Sequence, residues 1–163
     1  MIIRTATQND LNSIVEIYNQ AINSKFETAE ITEVTTADKK DWFAEHNPDV
    51  FPIFVYETDG KIAGWLSISP YRKGREALRF TVEISYYIHN DFKRQGIGTK
   101  LIEYALNAGK DLGYKTFVAI ILEKNQASIN LLKKFDFEQW AQLPDVADFD
   151  GELCGHIYLG RKI

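Results

Sequence analysis

The chain has 163 residues, 45% of them hydrophobic, which is enough to bury one globular core and short for two. Its formal net charge of -4 argues against a surface that coats nucleic acid, although a local cationic patch is compatible with it. The single cysteine, Cys154, excludes an intrachain disulfide framework and a thiolate zinc cluster, and it fits a reducing cytosol.

The opening "IIRTA" reads as a short strand, after which Asn9 or Asp10 can cap a helix whose apolar residues Leu11, Ile14, Val15, Tyr18, Ala21 and Ile22 recur at helical spacing. A second helix starts at Thr35 or Thr36, carries Trp42 and Phe43, and stops at "HNP". "PIFVYE" and "KIAGWLSIS" flank Asp59-Gly60, a hairpin signal that makes them antiparallel neighbours. In "RFTVEISYYI", two-residue alternation puts Thr81, Glu83, Ser85 and Tyr87 on one face, and Phe80, Val82, Ile84, Tyr86 and Ile88 on the other. "GTKLIEYALNAGKDLG" is an amphipathic helix, "KTFVAIIL" a buried strand, and "NQASINLLKKF" a helix with Asn125 near its start. "FEQWAQL" and "CGHIYLGRKI" close the order as two strands. The result is a single α/β domain over 1–163 with a mixed sheet. No stretch approaches the roughly 20 apolar residues of a membrane span, and "MIIRTATQNDL" lacks the features of a cleaved leader, so a soluble, unprocessed chain is expected.

The stretch "KRQGIGTK" sets two glycines and three cations at the mouth of a helix. Gly96 and Gly98 would let the backbone approach a bulky ligand, and the free N–H groups and positive dipole end of the helix suit a pyrophosphate. Lys93, Arg94 and Lys100 add mobile cations. A plainer alternative, glycines for a tight turn and a solvated basic helix start, fits this turn alone equally well. The spacing matches neither a Walker loop nor the dinucleotide fingerprint. His46, His89 and His156 have no metal-ligand spacing among themselves, so no metal is implied. Cys154 sits in an apolar strand, where a small hydrophobe is commoner than a nucleophile.

The segment "TVEISYYIHNDFKRQGIGTKLIEYAL", followed by "NQASINLLKKFDF", resembles the acetyl-coenzyme A site of the GNAT superfamily of N-acetyltransferases, whose turn pattern Q/R-x-x-G-x-G/A runs here from Lys93 to Gly98. "IVEIYNQAI", "RFTVEISYYI" and "WAQLPDVADFDGELCGHIYLGRK" extend the likeness, over nearly the whole chain, to its phosphinothricin acetyltransferase-like branch. The resemblance implies the acyl-CoA N-acyltransferase fold, with a mixed, mostly antiparallel central sheet flanked by helices. It assigns Lys93, Arg94, Gln95, Gly96, Ile97, Gly98 and Thr99 to the coenzyme pyrophosphate, chiefly through backbone amides. Backbone groups of Tyr86, Tyr87 and Ile88 would pair with the pantetheine arm as an added strand. Asn125 would lie beside that arm, with Ser128 one turn further on; an ordinary helix cap is the alternative for Asn125.

By the same likeness Glu83 is the general base, acting directly or through water; a surface carboxylate or an ion pair with Arg79 is the competing explanation. At pH 7, deprotonating an α-amine of pKa near 8 costs about 1.4 kcal/mol, against about 4.6 kcal/mol for a lysine. Arg75 and Arg79 in "YRKGREALRF" would hold the acid group of a small amino-acid-like acceptor, and Phe26 would line its pocket, with a core aromatic as the commoner alternative at such a place. Three positions depart from the family pattern. Lys93 replaces Gln or Arg, Leu132 stands where many members carry a thiolate-protonating tyrosine, and Asp136 replaces a glycine. The resemblance implies acetyl-CoA as co-substrate, no nucleic-acid or membrane partner, and a homodimer. Acetylation of a protein N-terminus, polyamine or aminoglycoside stays open, as does a coenzyme-binding sensor without turnover.

Overall fold

Strands β1 (Ile2–Thr5), β2 (Ile53–Thr58), β3 (Lys61–Pro70), β4 (Thr81–Ile88), β5 (Thr116–Leu122), β6 (Glu138–Phe149) and β7 (Glu152–Lys162) form one sheet in a computed structural model that describes residues 1–163. The strand order is β1-β2-β3-β4-β5-β7-β6. Only β4 and β5 run parallel, so the sheet is mixed and mostly antiparallel, as expected. Helices α1 (Leu11–Asn23), α2 (Thr36–Glu45), α3 (Ile97–Asp111) and α4 (Gln126–Lys133) complete it.

Period-two alternation divides the central strands between two cores. Ile53, Val55 and Trp65 pack with Ile14 and Ile17 of α1. Phe54, Leu66, Ile68, Val82 and Ile84 point the other way and meet Leu101 and Ile102 of α3 and Leu132 of α4. Each fully buried Leu or Ile contributes about 2 kcal/mol relative to its exposed state, so these alternating sets fix the strand register.

Local signals account for most element ends. Thr35 Oγ1 accepts from the Asp38 N–H at 3.2 Å while the Thr35 N–H donates to Asp38 Oδ2 at 2.7 Å, a reciprocal cap that starts α2. The expected Asp10 cap of α1 takes a different form. Its carboxylate accepts from Arg4 at 2.7 and 2.9 Å and from the Thr7 N–H at 2.7 Å, which closes a short 3-10 turn ahead of the helix. The guanidinium beside Asp10 holds that carboxyl below its ordinary value. Asp59 and Gly60 take φ of 50° and 72°, the left-handed pair a two-residue hairpin demands. The closing hairpin is longer than the sequence suggested: β6 continues to Phe149, and Asp150-Gly151, φ 55° and 95°, turns the chain into β7.

One irregularity positions the site. β3 pairs with β4 along its length, from Pro70 opposite Val82 to Gly64 opposite Ile88. β5 pairs with β4 only at Thr81, Val82 and Glu83. Beyond Glu83 the two parallel strands diverge, and β4 from Ile84 to Ile88 has no strand partner on its β5 side.

Candidate active site

A cavity of about 810 Å³ opens on the α1–α2 face of the sheet. Its floor is the polar face of β3 and β4: Ser67, Ser69, Thr81, Glu83, Ser85 and Tyr87. Glu83 is half-buried and has neither an ion pair nor a hydrogen bond within the protein, and burial raises its carboxyl above the ordinary value. The competing ion pair with Arg79 does not form. Arg79 instead donates from Nη1 to the Glu76 carbonyl at 3.1 Å and lies over the Phe80 ring at 4.4 Å. Arg75 and Arg79 both line the cavity from its exposed rim, together with Arg72 and Lys73. Lys73 is turned to Glu45 at 3.3 Å, an exposed pair of small energetic consequence.

Phe26 is not among the lining residues. It packs edge-on against Phe149 at 4.9 Å, with Lys25 and Lys124 over its ring, so its place is the junction between the α1 end and the β6–β7 hairpin. An aromatic wall that the sequence reading did not assemble takes that part of the cavity. Tyr18, Trp42, Trp65 and Tyr87 come from four elements, and Trp65 lies 5.7 Å from Trp42 and 4.9 Å from Tyr87 between ring centroids. Burial pushes the Tyr87 phenol above its ordinary value, so it is neutral.

Behind β4 the divergence from β5 leads to the turn before α3. Gly96 precedes the helix with φ 77° and ψ 7°, and no side chain caps the helix. The first N–H groups of a 15-residue helix therefore face outward unpaired by a cap, the donor set that suits a diphosphate. Gly96 is needed for its backbone angle, since a Cβ there would touch nothing within 4 Å. Gly98 has a packing reason as well: it is buried, and a Cβ built on it would stand 2.9 Å from Leu131 Cδ2, so it permits close packing of α3 on α4.

The three cations also separate. Lys93 donates to Glu27 at 2.7 Å, and Lys100 reaches the Tyr56 hydroxyl at 3.3 Å on β2, so neither is the mobile cation anticipated. Arg94, with φ 63°, is exposed and makes no ion pair. Gln95 closes the turn by donating to the Asp91 carbonyl at 3.1 Å, and Thr99 is exposed in the first helical turn.

Tyr86 and Ile88 point into the α3–α4 core, and Tyr86 Oη donates to the Ser128 carbonyl at 3.5 Å; burial pushes its phenol up to about 12. Asn125 caps α4 by accepting from the Ser128 N–H at 3.2 Å. Leu132 is fully buried in the core. Asp136 takes φ 58°, the left-handed angle a glycine would supply, and aspartate tolerates it. No three His, Cys, Asp or Glu side chains are grouped to hold a metal, and no helix is long and apolar enough to cross a membrane.

The sheet thus splays between two parallel strands, with an uncapped helix mouth behind the splay and a carboxylate-lined cavity in front of it. The profile of the acetyltransferase (GNAT) family matches residues 11–137, and the chain belongs to that family. It is an acetyl-CoA-dependent acyltransferase. It is 35% identical to the L-amino acid N-acyltransferase MnaT of Escherichia coli K12, over 90% of this chain and 84% of that one. It is 33% identical to the L-methionine sulfoximine/L-methionine sulfone acetyltransferase of Salmonella typhimurium, over 90% and 85% of the two chains. Among solved structures, a GNAT superfamily phosphinothricin acetyltransferase from Sinorhizobium meliloti in complex with AcCoA superposes with a TM-score of 0.93 at 26% identity, covering 99% of this chain and 88% of that one.

Proposed function

We propose that the protein transfers an acetyl group from acetyl-CoA to the amine of a small amino acid or analogue of the phosphinothricin or methionine sulfoximine kind, with Glu83 as general base. The observation that carries this reading is a half-buried carboxylate without a protein partner, at the last residue where β4 still pairs with β5, facing a cavity with Arg75 and Arg79 on its rim. The names of the two relatives, both acting on amino-acid-like substrates, support the acceptor class.

Acetyl-CoA supplies an acetyl group activated as a thioester. The donor set fits it: N–H groups at the α3 mouth, from Gly96 through Ile97, Gly98 and Thr99, with Arg94 beside them, would hold the diphosphate, and Lys93 and Gln95 would shape the turn. Backbone groups of Tyr86, Tyr87 and Ile88, left without a strand on the β5 side, would pair with the pantetheine arm. Asn125 and Ser128, at the start of α4, would flank that arm. Glu83 removes one proton from the acceptor ammonium and releases it to solvent, and Arg75 and Arg79 orient the acceptor's acid group. Leu132 carries no proton to give, so the leaving thiolate would take its proton from solvent, balanced by the second amine proton that is lost as the amide forms. We further propose a cytosolic homodimer, supported by the free, buried Cys154 and by the exposed apolar residues Trp140, Leu143 and Val146 along β6.

The test is a thiol-release assay over an amine panel with mass identification of the product. Acetylated L-amino acids or analogues are expected. Acetylation of peptide N-termini or polyamines alone would replace the acceptor class, and tight coenzyme binding without turnover of any amine would replace the enzyme by a sensor.

A further inference from the structure

The cavity holds a pair of groups whose geometry exceeds a structural need. His46 closes the C-terminal end of α2, where helix carbonyls lack intrahelical partners, and its Nδ1 lies 2.7 Å from the Trp42 carbonyl oxygen. A carbonyl can only accept, so Nδ1 carries the proton. Capping that carbonyl requires nothing more of the ring. Yet Nε2 lies 3.1 Å from Ser69 Oγ, and Ser69 sits directly opposite Glu83 in the β3–β4 register, with both residues on the cavity floor. Opposed residues on one sheet face have Cβ atoms about 5 Å apart, within the span of one small ligand group. Burial holds the imidazole below its ordinary pKa, so at neutral pH Nε2 is bare and the Ser69 hydroxyl donates to it. With its one proton so committed, Ser69 Oγ offers only lone pairs to the cavity.

We infer that Ser69 is a second acceptor for the substrate amine beside Glu83, and that His46 is a positioning residue that holds the Ser69 hydroxyl in that role. The inference rests on the amine-acetylating reading above. An incoming ammonium gives one N–H to Glu83 and one to Ser69. When Glu83 takes its proton, the bond to Ser69 fixes the direction of the new lone pair. Serine keeps its own proton, and none of its bonds is made or broken. The site is thereby matched to a cationic nitrogen with at least two hydrogens.

Steady-state kinetics on the full chain, with an amine that the wild-type protein acetylates, tests this. Ser69→Ala is expected to lower kcat/KM for the amine about tenfold while leaving the acetyl-CoA KM within about twofold. His46→Ala should do the same, and the double variant should be no worse than the poorer single one, because both remove one interaction. His46→Gln, which keeps an acceptor atom toward Ser69, should stay within about threefold of wild type; if His46→Ala does not fold, His46→Leu, which fills the space without an acceptor, takes its place. Wild-type amine kinetics in Ser69→Ala, losses that multiply in the double variant, or a His46→Gln as impaired as Ser69→Ala would each overturn the inference while leaving the enzyme reading intact. A wild-type chain that acetylates no amine would sink that reading first, and this inference with it.

Discussion

The two sides of β4 do their work with different parts of the chain. Toward the cavity, Glu83, Ser85 and Tyr87 present side chains, and the identity of each side chain decides what it can do. Toward β5, the same strand presents bare backbone, continued by the backbone N–H groups that Gly96 opens at α3. A site made of side chains is fragile to substitution and adjustable in specificity. One made of main chain would tolerate nearly any residue whose backbone angles fit, and under the proposed coenzyme role that is how a lysine would stand at position 93 in a turn pattern that favours Gln or Arg.

Substitutions can break or sharpen that contrast. The largest effect falls on the side-chain face: Glu83→Gln should cut turnover about 100-fold or more at saturating acetyl-CoA without loss of coenzyme binding, and near-wild-type turnover would remove Glu83 from the mechanism. The same residue sets a pH signature. Because burial raises its pKa above 4.5, the acidic limb of kcat/KM should lie above that value, and the limb should disappear in the Gln variant. The raised value also means that the folded state holds the proton more tightly than the unfolded chain. Stability from this group is present below pH 4.5 and lost as pH rises through the folded value, so Glu83→Gln should melt no lower than wild type at pH 8.

Next in size, Arg79→Ala should raise the KM of an acid-bearing acceptor about tenfold and leave the acetyl-CoA KM unchanged; equal changes in both would mean that the arginine serves the fold. On the main-chain side, Gly96→Ala should cost about 1 kcal/mol in thermal unfolding, because φ 77° is strained for alanine, and should weaken coenzyme binding several-fold by calorimetry. The smallest change belongs to Lys93→Ala, expected to alter coenzyme affinity less than about twofold because its ammonium is already engaged by Glu27. A large loss there would return the turn to side-chain recognition.

What the sequence disclosed follows the same division. The alternation of Val82 and Ile84 against Glu83 and Ser85 was legible because strand period and burial coincide, and the Asp59-Gly60 turn because two successive left-handed residues have few sequence solutions. The identical Asp150-Gly151 signal is masked by the polar run "PDVADFDG", where β6 is so exposed that no hydrophobic alternation marks it. The Lys93–Glu27 pair joins residues 66 positions apart, and the aromatic wall gathers side chains from four elements; neither has a local signature. His46 has no metal-ligand spacing to the other histidines, so the sequence gives it no role. Its place four residues after Trp42, just past the end of the helix, is the local clue, whereas Ser69 becomes its neighbour only through the sheet.

The strand order carries a consequence for how the chain reaches this state. β6 is hydrogen-bonded into the sheet only through β7, which lies between it and β5 although it comes later in the chain. Of its twelve residues only Phe149, at the turn end, is buried, against Phe26, while Trp140, Leu143 and Val146 stay exposed. An edge strand so exposed offers unpaired backbone and apolar side chains to other chains, so aggregation during refolding should depend on how fast residues 152–162 seat this hairpin on β5.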